Sequence, residues 1–146
     1  MALRALLDVN VLLALHDPHH IHHGLAADWL EANAAPGWAT CPITQNGCLR
    51  ILSEPGYPNP RPIHLLLAAL GQSFTSPQHQ FWPDDISLMD GQRFRRDRVQ
   101  GHRQLTDVYL LALAVRQQGR LVTLDARIAM SVVVGAEARH LVTLLH

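Results

Sequence analysis

The stretch Arg4-Ala5-Leu6-Leu7-Asp8-Val9-Asn10-Val11-Leu12-Leu13 decides the fold. Arg4 to Leu7 is a short apolar run that stops at a carboxylate. Bounded runs of this kind are the pattern of strands buried on both faces of a parallel sheet. Asn10 reads as the N-cap of a following helix through Leu15, because its side-chain oxygen accepts from the free N–H groups of a first turn. Strand, carboxylate and helix in immediate succession make one arm of a βαβ unit.

The same grammar continues along the chain. Leu25 to Ala35 is amphipathic, with Leu25, Trp29 and Leu30 facing inward, and stops at Pro36-Gly37. Trp38 to Cys41 is a second strand. Thr44 caps a helix reaching Ile51 or Leu52, and Pro62 to Leu70 starts another that Gly71 closes. Phe81 to Asp85 is aromatic and interrupted by proline, and Ile86 to Met89 fits no period. Leu105 to Gln117 is the clearest helix, with Gly119 expected just past its end. Arg120 to Leu124 and Leu141 to Leu144 complete the strands. Strands alternating with helices predict an α/β fold with three layers: a mostly parallel central sheet covered by helices on both faces.

The 146 residues make a single domain, residues 1–146, with no repeat and no linker. Apolar residues are 48% and charged residues 16%, which excludes disorder. The formal charge is zero, which excludes a uniformly basic nucleic-acid coat but not a local basic face. Cys41 and Cys48 are expected as reduced thiols. Asp8 and Asn10 break the apolar N-terminus, so it is not read as an export signal. No apolar run approaches membrane length. The expectation is a soluble, cytoplasmic protein.

Asp8 and Asp125 each follow an apolar strand, and ligands of open α/β sheets bind at the carboxyl ends of strands. Asp107 lies in the first turn of the Leu105–Gln117 helix, where the helix dipole favours an anion; taken alone it is simply a first-turn acid. Two unit charges about 4 Å apart repel by about 4 kcal/mol at an effective dielectric near 20. Three carboxylates meeting in one crevice therefore call for raised pKa values or a bound cation. Oxygen donors suit a hard ion, Mg²⁺ or Mn²⁺.

Four motifs in order resemble those of the PIN-domain family, and within it the VapC-type toxins of bacterial toxin–antitoxin pairs. They are Leu6-Leu7-Asp8-Val9-Asn10-Val11-Leu12-Leu13, Thr44-Gln45-Asn46-Gly47-Cys48-Leu49-Arg50-Ile51-Leu52, Leu105-Thr106-Asp107-Val108-Tyr109-Leu110 and Leu121-Val122-Thr123-Leu124-Asp125. The resemblance implies a nuclease: a hydrolase that cuts RNA internally with Mg²⁺ or Mn²⁺ and is silenced by a cognate antitoxin protein. It marks Asp8, Asp107 and Asp125 as catalytic and metal-binding acids, with Asn10, Gln45 and Thr106 in support. Most family members carry Glu where Gln45 stands. An amide brings no charge and is no general base, so the alternative is a catalytically weakened RNA-binding module. Glu54 and Asp90 are the acids available to compensate.

Arg93, Arg95, Arg96, Arg98 and Arg103, set against Asp97, give the segment before Asp107 a net charge of +4. Such a segment either grips RNA phosphates or is a solvated loop. His16, His19, His20, His22 and His23 fall within eight residues, and read as a surface turn rather than a metal site. Arg50, in an otherwise apolar helix, is expected to pair internally with an acid. Trp29, Trp38, Phe74, Phe81 and Trp82 are expected in the core or an interface. Leu12, Leu13, Leu65, Leu66 and Leu67 exceed what one small core needs and suggest a homodimer and a groove for the antitoxin. A phosphatase of the haloacid dehalogenase class also places Asp after its first strand, but it wants a second Asp where Asn10 stands and a Lys that this chain lacks.

Overall fold

The computed structural model describes residues 2–125 and 127–145. Five strands form one sheet: β1 (Ala5–Leu7), β2 (Trp38–Thr40), β3 (His79–Phe81), β4 (Arg120–Thr123) and β5 (Leu141–Thr143). Their spatial order is β3-β2-β1-β4-β5, and every pairing is parallel. The helices are α1 (Val9–His16), α2 (His23–Ala32), α3 (Pro42–Leu52), α4 (Ile63–Ser73) and α5 (Leu105–Arg116).

The pleat sorts the strand residues between two cores. Leu6, Ala39 and Leu121 point to one face, where α5 packs. Ala5, Leu7, Trp38 and Val122 point to the other, with buried side chains of α1, α3 and α4. Helix α5 is buried continuously from Val108 to Ala114, because the chain on either side of it closes over its outer surface. Phe94, 1% exposed, anchors the Arg-dense segment through an antiparallel bridge to Val133.

Several local expectations shift by a residue or two, each for a reason. Asp8, not Asn10, caps α1: it is extended (φ −62°, ψ 159°) and its carboxylate accepts from the Val9 N–H at 2.7 Å. The strand feeds the helix directly, so the cap falls on the last residue outside it. Thr44 lies one turn inside α3. Pro42 takes the first helical position, where its missing N–H costs nothing, and Thr44 Oγ1 accepts from the Cys41 N–H at 3.0 Å. Helix α4 passes through Gly71 and ends at Ser73; its C-cap, Phe74, stacks on His79 with centroids 4.8 Å apart. Past α5 it is Gln118, not Gly119, that turns left-handed (φ 56°). Gly119 is required for another reason: a Cβ there would lie 2.6 Å from Trp82 and 2.7 Å from the Arg4 carbonyl.

The thiols behave as expected. Cys41 and Cys48 are free and buried in opposite cores, and burial pushes their pKa values to about 11 and about 12. Trp38 and Trp82 are core residues, while Phe81 is half exposed on edge strand β3. Leu12 and Leu66 are buried, whereas Leu65 and Leu67 are each 54% exposed. Among the described residues, no helix is long and apolar enough to cross a membrane.

Candidate active site

Strand β1 sits between β2 and β4, so successive connections leave it in opposite directions. A crevice must open there at the carboxyl ends of the strands. It contains a cavity of about 540 Å³, lined in part by Asp8, Asn10, Thr106, Asp107 and Asp125.

One buried hydroxyl organises this corner. Thr123, fully buried at the end of β4, donates from Oγ1 to Asp8 Oδ2 at 2.8 Å. The same oxygen accepts from Asn10 Nδ2 at 3.2 Å and from the Asp125 N–H at 3.1 Å. The hydroxyl thus uses its one proton and both lone pairs. Asn10 returns the contact by accepting from the Leu124 N–H at 3.1 Å. Asn10 therefore clamps α1 to the end of β4 rather than capping its own helix. Asp125 Oδ1 accepts from the Arg127 N–H at 2.9 Å.

The carboxylates sense one another. Burial raises the pKa of Asp8 against the pull of its bonds to Thr123 and Val9, and the charge of Asp125 raises it further. Asp107 is half-buried, and among the described residues its carboxylate accepts no hydrogen bond. Burial pushes its pKa up to about 6, aided by the charges of Asp8 and Asp125. The donor set is all oxygen and strongly anionic, which fits a hard divalent ion. Among the described residues, no three such side chains stand close enough to enclose an ion as they are. Closure on a cation therefore requires side-chain rotation, which Asp107, held by no hydrogen bond, is free to make.

The other sequence candidates divide. Gln45 does not line the cavity; its Nε2 donates to Thr40 Oγ1 at 3.0 Å, and Thr40 in turn bonds His79 Nε2 at 2.7 Å. Asn46, the next residue, lines the cavity instead, and was not singled out from sequence. Its signal was helical spacing: Ile43, Asn46, Gly47, Arg50 and Ile51 form one face of α3. The sequence carries a sign of Thr123 as well, a hydroxyl directly after the apolar pair Leu121-Val122 and two residues before Asp125. Neither Glu54 nor Asp90 lines the cavity, so neither compensates for Gln45.

Arg50 does not pair internally. It is exposed, lines the cavity, and among the described residues forms no ion pair. None of Arg93, Arg95, Arg96, Arg98 and Arg103 lines the cavity. Arg95 braces its own loop by donating to the Ser131 carbonyl at 2.9 Å, and Arg93 pairs with Asp90 at 3.5 Å. Arg96, Arg98 and Arg103 are exposed. The histidine run is structural. His16 Nδ1 and His23 Nδ1 bond the Leu12 and Ala14 carbonyls at 2.9 and 2.7 Å, and His20 Nδ1 accepts from the His22 N–H at 3.0 Å.

Comparison with known proteins identifies the class of this fold. The family model of the PIN domain matches residues 5–132, and the chain belongs to that family. Ribonuclease VapC44 of Mycobacterium tuberculosis is 45% identical over 142 residues, covering 97% of this chain and all of that protein. Ribonuclease VapC39 of the same species is 46% identical over 132 residues, covering 90% and 95%. Among PIN proteins this chain is therefore of the VapC type. The crystal structure of VapBC2 from Rickettsia felis, bound to a DNA fragment from their promoter, superposes with a TM-score of 0.55. At 13% identity, covering 83% of this chain and 87% of that one, it supports the fold.

Proposed function

We propose that this protein is the toxin of a type II toxin–antitoxin pair: a divalent-metal-dependent endoribonuclease acting in the cytoplasm and held inactive by a cognate antitoxin. The observation that carries the reading is the meeting of Asp8, Asp107 and Asp125 in one cavity, in a chain closely similar to proteins named ribonucleases. Asp8, Asp107 and Asp125 are the residues to hold Mg²⁺ or Mn²⁺. When bound, such an ion lowers the pKa of water and offsets charge on phosphate oxygens during phosphodiester hydrolysis.

The chain's own groups prepare that chemistry. Thr123 and the Val9 N–H fix the two oxygens of Asp8 with one hydrogen bond each, which leaves each oxygen with further acceptor capacity in a residue that lines the cavity. Thr123 also holds the backbone of Asp125, so two of the three acids are set by one hydroxyl. Asp107 brings a carboxylate whose pKa burial and the neighbouring acids raise to about 6 without a cation, and which a bound divalent ion would hold ionised. Thr106, beside it, is exposed at the cavity mouth, where a hydroxyl can meet substrate. Arg96, Arg98 and Arg103 offer charge to RNA outside the cavity. Ile63, Leu65 and Leu67, 47–54% exposed on α4, supply apolar surface for a second copy or the antitoxin.

Gln45 favours a second reading, a PIN module that binds RNA and cleaves it weakly, because the position brings no carboxylate to the cavity. Incubation with structured RNA and Mn²⁺ separates the two. The unaltered chain is expected to cleave. Asp8→Ala and Asp125→Ala, each verified as folded, are expected to lose metal-dependent cleavage. Unchanged cleavage by both variants would overturn the nuclease assignment.

A further inference from the structure

Resting on the nuclease reading, we infer that Arg50 of α3 is the side chain that receives a phosphate of the RNA at the reaction centre, and that the Arg-dense segment 93–103 is not. The argument begins with charge. The cavity is lined by three aspartates, and Arg50 is the one Lys or Arg among its described lining residues. An RNA backbone entering this cavity meets like charge at Asp8, Asp107 and Asp125. A cation placed across from them offsets that repulsion for the part of the backbone that no metal ion covers.

Arg50 has the chemistry for the task. A guanidinium presents a planar fork of donors that matches two phosphate oxygens at once. Its charge is not committed elsewhere, since among the described residues it forms no ion pair. By contrast, Arg93 and Arg95 are engaged with Asp90 and the Ser131 carbonyl, and none of the five segment arginines reaches the cavity.

The fold also places Arg50 deliberately. Asn46 and Arg50 are four residues apart, so they stand one turn from each other on the cavity face of α3. Gly47 between them lets α3 lie directly on α1: a Cβ at this glycine would come within 2.7 Å of Val9 Cγ2. Val9 immediately follows Asp8, so this close approach brings the Arg50 face of α3 beside the acidic corner. A rival explanation is that Arg50 merely complements the C-terminal dipole of α3, whose last turn it occupies. That role touches stability and not substrate.

The test measures RNA affinity and cleavage separately. The probe is a fluorescein-labelled single-stranded RNA of about 20 nucleotides. Its binding to the full chain is followed by anisotropy in Ca²⁺ across a salt series. Arg50→Gln is expected to weaken binding about tenfold and to reduce the slope of log affinity on log salt by about 0.7, one phosphate contact on a single strand. Arg50→Lys should recover part of the affinity, because it keeps the charge and loses the fork. Arg139→Gln, before β5 at the opposite end of the sheet, controls for net charge and should leave the slope unchanged. In Mn²⁺, Arg50→Gln should raise KM for RNA at unchanged melting temperature. Binding and slope equal to the unaltered chain, an equal loss in Arg139→Gln, or no RNA binding by the unaltered chain would each overturn the assignment of Arg50. Failure of the unaltered chain to cleave any RNA in Mg²⁺ or Mn²⁺ overturns the nuclease reading instead, and leaves the binding result to stand on its own.

Discussion

The acidic corner and the Arg-dense segment before α5 both look functional in the sequence, and the structure separates them. In the corner, Asp8, Asn10, Thr123 and Asp125 come from opposite ends of the chain and share one hydroxyl. In the segment, neighbouring arginines point to different places: one braces a loop, one pairs with an aspartate, and three are exposed. The difference is one of over-determination. A side chain held by several buried partners is presented in one geometry, which chemistry requires. A cluster that is dense only along the chain supplies diffuse charge, which adds affinity without position.

If the corner is over-determined by Thr123, removing that hydroxyl has the largest consequence. Thr123→Val keeps the shape and leaves Asp8 Oδ2, Asn10 Nδ2 and the Asp125 N–H without this partner. Unsatisfied buried polar groups cost about 1–3 kcal/mol, and charged ones more. Urea denaturation should show a loss of that order, and RNA cleavage should fall with it. Thr123→Ser, which keeps the hydroxyl, should recover most of both. A stable, active Thr123→Val protein would mean that the corner is held by packing alone.

Why was this corner partly legible in advance? Asp8 and Asp125 follow apolar strands, and parallel topology sends strand ends to one rim, so their convergence followed from local pattern and a general rule. Asp107 needed the family resemblance, because by itself a first-turn acid is unremarkable. Thr123, Asn46 and Arg50 stayed hidden for different reasons. Thr123 acts through partners more than a hundred residues away in sequence, as with Asp8 at a separation of 115. Asn46 and Arg50 depend on how α3 is rotated against α1, which the contact between Gly47 and Val9 sets. The fold was legible from four of its five strands, which are short, mostly apolar and bounded; edge strand β3, His79-Gln80-Phe81, is polar and half exposed and carries no such signal. The misplacements fell at element ends, where Asp8 rather than Asn10 caps α1 and Gln118 rather than Gly119 leaves α5.

The electrostatic cost of the corner should appear as a pH dependence that the Arg-dense segment lacks. The pKa of Asp107 rises from an ordinary 3.8 to about 6 on folding, and that of Asp8 rises as well. Below the unfolded value both states are protonated and there is no penalty. As pH climbs towards about 6, the unfolded chain releases its proton first, so the metal-free fold loses stability across this window; above it the loss is complete. Thermal melts in EDTA from pH 4 to 7 should record this decline, while Asp107→Asn should flatten it. Added Mn²⁺ should raise the melting temperature most at the upper end of the window, where the acids are charged and bind it best. A flat profile for the metal-free protein would show that neither burial nor the neighbouring charges raises the pKa values of these acids.

The smallest effect belongs to the segment. Arg96 and Arg98 are exposed and, among the described residues, form no ion pair. Replacing both with Gln should leave stability within about 0.5 kcal/mol, as for surface substitutions in general. If they supply diffuse attraction, RNA affinity should fall modestly and its salt dependence should flatten, with the cleavage rate at saturating RNA unchanged. Adding Arg95→Gln should cost stability besides, because its guanidinium ties the segment to the Ser131 carbonyl. A fall in the saturated rate for the Arg96, Arg98 pair would erase the contrast between the two regions, because it would mean that exposed arginines outside the cavity shape the reacting geometry.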